Sequence, residues 1–254
     1  MATHTPTVLE RILESTREEL ERRKRELPAS KCFSSVSTDS ALAPPRSCMI
    51  SAACASHCRD SPSRNHGELF PRWREAIEAG QLKVPFHVTH VDAHADLGLG
   101  DSGYIYLMTS LLFEEPENRR HPKTGEGALG DGNYLAFVIA CRWLAGLVYV
   151  FNDGGGGGVL PYLMQGFDPQ AGNIQLAAVR SRQELSANLM TPANMTLEHL
   201  EPAVPFAATG WRDFRADHPF DFVCLARSPA FTPPEADAIF DEIRRRCIVE
   251  RSER

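Results

Sequence analysis

No apolar run in the chain is both long and clean enough to cross a membrane. The longest, "YLAFVIACRWLAGLVYVF" at 134–151, is interrupted by Arg142 and Gly146. It reads as a buried helix followed by a strand. A basic-then-apolar leader is also missing, so a cytoplasmic protein with no membrane partner is expected. Positive charge is in deficit: 27 Lys and Arg against 33 Asp and Glu give a net charge of −6, with no basic stripe. That argues against a nucleic-acid partner. Regular cysteine spacing is absent too. The seven cysteines fit reduced thiols better than a disulfide framework. One local group, Cys48, Cys54, His57 and Cys58, offers zinc-ligand chemistry but matches no closed zinc spacing. Hydrophobic residues fill 43% of 254 positions, enough for one large α/β domain or two small ones.

Three regions differ in texture. Residues 1–28 form a charged amphipathic helix: Val8, Leu9, Ile12, Leu13 and Leu20 make a narrow apolar stripe, and Pro28 marks its end. This is read as an appended helix. Residues 29–64 are rich in Ser, Ala, Pro and Cys, with little charge or periodicity. They read as an irregular linker, with a strand around Cys48 to Ala53. From Asn65 to residue 254 the pattern becomes regular. "HGELFPRWREAIEAG" predicts a helix stopped by Gly80. Val84 to Val91 predicts a buried strand, "SGYIYLMTSLLF" and "DGNYLAFVIACRWL" two helices, and "GLVYVF", "NIQLAAV" and "FDFVCLA" further strands. "TPPEADAIFDEIRRRCIVE" predicts a closing helix. Strands alternating with helices predict a mostly parallel sheet in a three-layer α/β/α arrangement. In such folds, sites collect at the carboxyl ends of the strands.

The stretch "HVTHVDAHADLGLGD", residues 87–101, spends six of fifteen positions on His and Asp. Unpaired carboxylates are costly to bury, so acids crowded at the end of a buried strand call for a cation. Asp92, His94 and Asp96 alternate. In extended chain such residues share a face and step about 6.6 Å per pair. Three ligands spread over about 13 Å converge on one ion only if the chain curls; otherwise they serve two ions about 3.5 Å apart. Imidazole and carboxylate without thiolate favour Mn²⁺ over Fe²⁺, Zn²⁺ or Co²⁺.

"DAHAD" resembles the metal-binding Asp-Ala-His-x-Asp signature of the ureohydrolase (arginase and agmatinase) superfamily. With "NHGELFPRWREAIEAG", "DGNYLAFVIACRW" and "RSPAFTPPEAD", it resembles most closely the branch containing peptide arginases, over roughly residues 65–246. The resemblance implies an arginase-like α/β domain holding two Mn²⁺ ions. It implies hydrolysis of the guanidinium of arginine, within a peptide substrate, to ornithine and urea. His66 would join Asp92, His94 and Asp96 as a metal ligand; otherwise it is an exposed His at a helix start. Asp96 would also orient the attacking water. Asn133 would line the substrate pocket.

Other residues keep two readings open. Glu68 is a general base or a first-turn helix acid. Asp101 meets the guanidinium or caps the next helix. His90 shares the parity of Asp92; it supports the ligands from behind or is a core histidine, as is His87. The run Gly154–Gly158 resembles a phosphate cradle, but no Lys-Ser/Thr follows, which favours a plain loop. One departure from the superfamily stands out. The later strand that carries an Asp-x-Asp pair in ureohydrolases, here "FDFVCLARSP", has only Asp221, at its start. Arg227, Ser228 and Pro229 occupy its end. Asp153 is the nearest substitute acid, unless it braces the glycine run through a turn hydrogen bond. The missing pair motivates a second expectation: a catalytically weakened ureohydrolase-like protein that binds a cationic ligand or partner. An oligomer is compatible with either reading.

Overall fold

Phe86, Val88 and His90 alternate inward along the chain that leads to the acidic stretch, and all three are essentially inaccessible to solvent. They form the centre of a strand, β2 (Phe86–Val91), in a six-stranded sheet. The protein is described by a computed structural model covering residues 48–50, 65–98, 102–152, 155–156, 158–189, 191–216 and 220–226. The appended helix at 1–28, most of the linker, Cys54, His57, Cys58, Asp101, Asp153, Arg227 to Pro229 and the closing helix lie outside the described residues. The chain divides into two compact units, 47–214 with 220–254, and 1–46 with 215–219. Nearly all described residues belong to the former.

The other strands of the sheet are β1 (Cys48–Ile50), β3 (Leu144–Phe151), β4 (Asn173–Ile174), β7 (Val204–Gly210) and β8 (Phe222–Val223). Their order is β4-β7-β3-β2-β1-β8. Every pairing from β7 to β8 is parallel; β4 alone runs antiparallel, along β7. The fold is therefore mixed α/β with a mostly parallel sheet, as the alternation of strand and helix predicts. The sheet reaches back into the expected linker, since Met49 pairs with Val88. The expected strand "NIQLAAV" is split: Asn173 and Ile174 join the main sheet. The chain then turns away into β5 (Ala177–Val179), which pairs with β6 (Leu197–Leu200) in a separate antiparallel ribbon.

Helix α1 (Leu69–Glu78) follows a 3₁₀ turn at His66–Glu68. Gly80, at φ 69°, ends it in the left-handed conformation that a residue without Cβ adopts freely. Leu69, Phe70 and Trp73 face inward. Phe70 stacks on Trp143 with centroids 4.9 Å apart, and Trp73 meets Phe86 edge-on at 5.6 Å. Helix α2 (Gly103–Thr109) buries Leu107 and Met108. In helix α3 (Tyr134–Ala140) all seven residues are buried, so it forms the middle of the core and shows no polar face. A short helix α4 (Arg182–Asn188) is capped by Ser181, whose hydroxyl accepts from the Glu184 N–H.

One buried ion network ties the elements together. Glu201, 2% exposed, receives Arg119 Nη2 at 2.9 Å and Arg142 Nε at 2.9 Å. Arg119, itself 3% exposed, spends its remaining donors on the carbonyls of Glu114, Ala140 and Leu112. Burial pushes the Glu201 carboxyl upward, but the hydrogen bonds and charges of the two arginines outweigh it. They hold the group below its ordinary value of 4.5. Its contribution is therefore present above pH 4.5 and is lost as pH falls through the lowered value. Removing one partner leaves a buried charge uncompensated, so Arg119→Met is expected to lose about 3–5 kcal/mol. Urea unfolding at neutral pH measures this. Glu201→Gln is expected to blunt the acid-side loss seen in the wild type. A loss under about 0.5 kcal/mol for Arg119→Met, the range of an ordinary surface change, would show the network to be dispensable.

Candidate metal centre

The acidic stretch begins where β2 stops. Asp92 N still donates to Val150 O of β3 at 3.1 Å, and then the chain leaves the sheet. Asp92 Oδ1 accepts from the His94 N–H at 3.0 Å, a turn closed by an aspartate side chain. Asp96 takes a left-handed backbone with φ 50°, a conformation Asp tolerates better than most residues. The alternation expected of extended chain is therefore broken. The curl brings Asp92 and Asp96 to the same place instead of spacing them along one face.

His66 meets them from the turn before α1. Its Nδ1 lies 2.7 Å from Asp96 Oδ2 and its Nε2 3.5 Å from Asp92 Oδ2. One donor atom from each of these three residues lies within 4.8 Å of the others. Ligands of one octahedral ion with bonds of about 2.1 Å sit about 3 Å to about 4.2 Å apart. The donor set suits a hard or intermediate divalent ion. The three residues could therefore hold one divalent ion.

The charge balance points the same way. Burial lowers the affinity of the His66 ring for a proton. The hydrogen bond to Asp96 and the charges of Asp96, Asp92 and Asp131 outweigh it, so its pKa stands above the ordinary 6.5. His90 moves the other way: complete burial lowers its pKa against the pull of Asp96 and Asp92. A neutral His90 places Nε2 2.9 Å from the His94 carbonyl and 3.4 Å from Asp96 Oδ2. Its ring stacks on Tyr149 at 5.9 Å. His90 is therefore a core residue that also abuts the acids.

Other expected site residues sit differently. His94 lies outside the group of three; its side chain is 59% exposed, with Nδ1 3.9 Å from Asp92 Oδ1. The alternation argument put its ring beside the carboxylates, and the curl turns it outward. Glu68 is not among the clustered donors and lies 3.9 Å from Arg72 across one helical turn. Asn133, expected at the substrate, is 1% exposed. Its Nδ2 donates to Ala128 O and its Oδ1 accepts from Gly130 N, both at 2.8 Å. That amide shapes the turn before α3. Asp221 is exposed and immediately precedes β8, as the sequence placed it. Sequence reasoning overlooked Asp131, whose Oδ1 accepts from Gly67 N at 2.9 Å beside His66. It also overlooked Tyr149. Neither residue belongs to a motif that would single it out.

The pKa directions predict how the metal-free protein responds to pH. The raised His66 contributes stability that is complete below pH 6.5 and is lost as pH rises through its higher folded value. His90 costs nothing above 6.5 and a growing amount as pH falls below it. In chelator, His66→Gln is expected to flatten the decline in unfolding free energy above pH 6.5 and to leave the acid side steep. Urea titrations at a series of pH values measure both limbs. An unchanged alkaline limb would show that His66 does not hold its proton between the carboxylates.

The chain matches no protein-family model, no curated protein and no solved structure.

Proposed function

We propose that the protein is a Mn²⁺-dependent hydrolase of the ureohydrolase type, acting on the guanidinium group of arginine and converting it to ornithine and urea. The observation that supports this reading is the meeting of His66 with Asp92 and Asp96 at the carboxyl end of a parallel strand. Sites gather there in α/β sheets. An arginase-like three-layer arrangement and a peptide substrate belong to the same proposal, and both rest on the motif resemblance.

A divalent ion bound there supplies Lewis acidity and a hydrolytic nucleophile near neutral pH. His66, Asp92 and Asp96 would hold it. Asp92 Oδ2 faces His66 and its Oδ1 faces His94, so a second ion would be held by Asp92 with the exposed His94. Asp96 orients the attacking water. Water adds to the guanidinium carbon, and the bond from that carbon to the side-chain nitrogen breaks. The nitrogen takes up the water's proton and leaves as the ornithine amine.

A second reading is favoured by the outward His94 and by the lack of an acid at the end of "FDFVCLA". Under it, the protein is a weakened relative that binds a cationic ligand with at most one ion. Metal counting separates the two. The enzyme retains about two Mn²⁺ per chain, since paired ions clamp the reacting centre; the binding protein retains one or none.

Incubation with Mn²⁺ and arginine-containing peptides, followed by mass spectrometry, is expected to reveal conversion of arginine to ornithine residues. Asp92→Ala and His66→Ala are expected to abolish metal retention and to lower turnover by more than about 100-fold, beyond the effect of losing a supporting group. His94→Ala is expected to keep one ion. Wild-type metal content in Asp92→Ala would remove the basis of the site, and intact peptides beside a two-ion protein would sink the proposed reaction.

A further inference from the structure

The backbone between the two aspartates is held from below by two side chains that no ligand motif includes. The Tyr149 hydroxyl donates to the Ala93 carbonyl at 2.7 Å. His90 Nε2 lies 2.9 Å from the next carbonyl, that of His94. Because a carbonyl only accepts, Nε2 carries the ring's proton. His90 Nδ1, buried, finds no hydrogen-bond partner among the described residues. The ring therefore tolerates an orphaned acceptor in order to direct its N–H at this loop, a cost a core histidine with free choice of orientation would avoid. The two rings also stack, with an interplanar angle of 27°, so each restricts the other.

The Tyr149 hydroxyl has a second partner. It accepts from the Gly156 N–H at 3.3 Å. The chain from the Gly156 amide through the Tyr149 oxygen to the Ala93 carbonyl has one direction, because the hydroxyl has a single proton to give. It links the loop after β3 to the loop after β2. Gly155 explains the closeness of the two loops. A Cβ there would lie 3.0 Å from Ala93 O, 3.3 Å from Ala93 Cα and 2.7 Å from Asn152 Oδ1. Part of the glycine run is therefore the surface against which the aspartate loop is seated.

We infer that Tyr149 and His90 are positioning residues for the metal centre: by fixing the Ala93 and His94 carbonyls, they hold the loop that brings Asp92 and Asp96 together beside His66. Neither touches the ion or the substrate. The inference rests on the metal reading of His66, Asp92 and Asp96. Groups that orient ligands in this way typically carry a 10- to 100-fold share of metal affinity, because ligands left to wander must be ordered when the ion binds.

The test is a Mn²⁺ titration of the full chain, with thermal unfolding recorded separately in chelator. Tyr149→Phe deletes one oxygen and keeps the ring. It is expected to weaken Mn²⁺ binding by about tenfold or more while the unfolding midpoint in chelator moves little. His90→Leu is expected to do the same. His90→Gln, whose amide can still donate to the His94 carbonyl, is expected to recover part of the affinity. Substituted Co²⁺ gives a further readout: its visible bands report ligand geometry and are expected to shift in Tyr149→Phe, which a purely structural role would not produce. Mn²⁺ affinity within twofold of wild type for both Tyr149→Phe and His90→Leu overturns the inference and leaves the metal reading standing. No Mn²⁺ binding by the wild type overturns both. Loss of the cooperative transition in chelator for these variants also overturns it, since the two side chains would then be holding up the fold.

Discussion

A carboxylate that is 5% exposed, at the end of a buried strand, must have positive charge or hydrogen-bond donors beside it. Asp96 is that carboxylate, and the arrangement around it follows from the requirement. His66 is drawn to 2.7 Å from its oxygen, which fixes the turn before α1. His90 approaches from the strand below at 3.4 Å. Leu135 N donates to the Asp96 carbonyl at 3.2 Å, which places the start of α3 against the same residue. A proton on His66 or a divalent ion can meet the charge requirement. On the proposed metal reading the two would compete for the His66 ring, so loading would release a proton and become more favourable as pH rises.

Glu201 faces the same problem and solves it differently. Two guanidinium groups, fixed in charge at any ordinary pH, bind it at 2.9 Å each, with the half-exposed His199 further off at 3.5 Å. Asp96 is instead neutralised by an imidazole, the side chain whose charge changes near neutrality. The arginine network ties α3's end, the ribbon of β5 and β6 and the intervening loops into one body. The imidazole pairing leaves its carboxylates available to another cation.

Much of this was legible in the sequence. Apolar periodicity marked α1, β2, α3 and β3, and Gly80 marked the stop of α1, because each signal is local. The crowding of Asp92 and Asp96 at the end of β2 was legible for the same reason. The ribbon and β7 were not foreseen. "VPFAATG" is short of large branched residues, and its strand character comes from pairing with β3, a neighbour far away in sequence. The outward turn of the His94 side chain was not legible, because alternation assumes extended chain, and the turn at Asp92 with the left-handed Asp96 ends that assumption. Asn133 was drawn toward the site by resemblance alone; its amide is occupied by the turn at 128–130, which only the folded chain reveals. Tyr149 carries no local mark at all, since its partner carbonyl lies on another strand's loop.

The position of β1 has a further consequence. Met49 has Val88 on one side and Phe222 on the other, so the strand lies between one partner made soon after it and one made after every other strand of the sheet. During synthesis β1, β2 and β3 can assemble as they emerge, but the outer row of β1 amides and carbonyls stays open until β8 arrives. An open strand edge is a template for a second chain, and partly built α/β units are vulnerable to such pairing. The two-residue β8, paired with Met49 and Ile50, is thus the last strand of the sheet to be made and the one that takes over this outer edge.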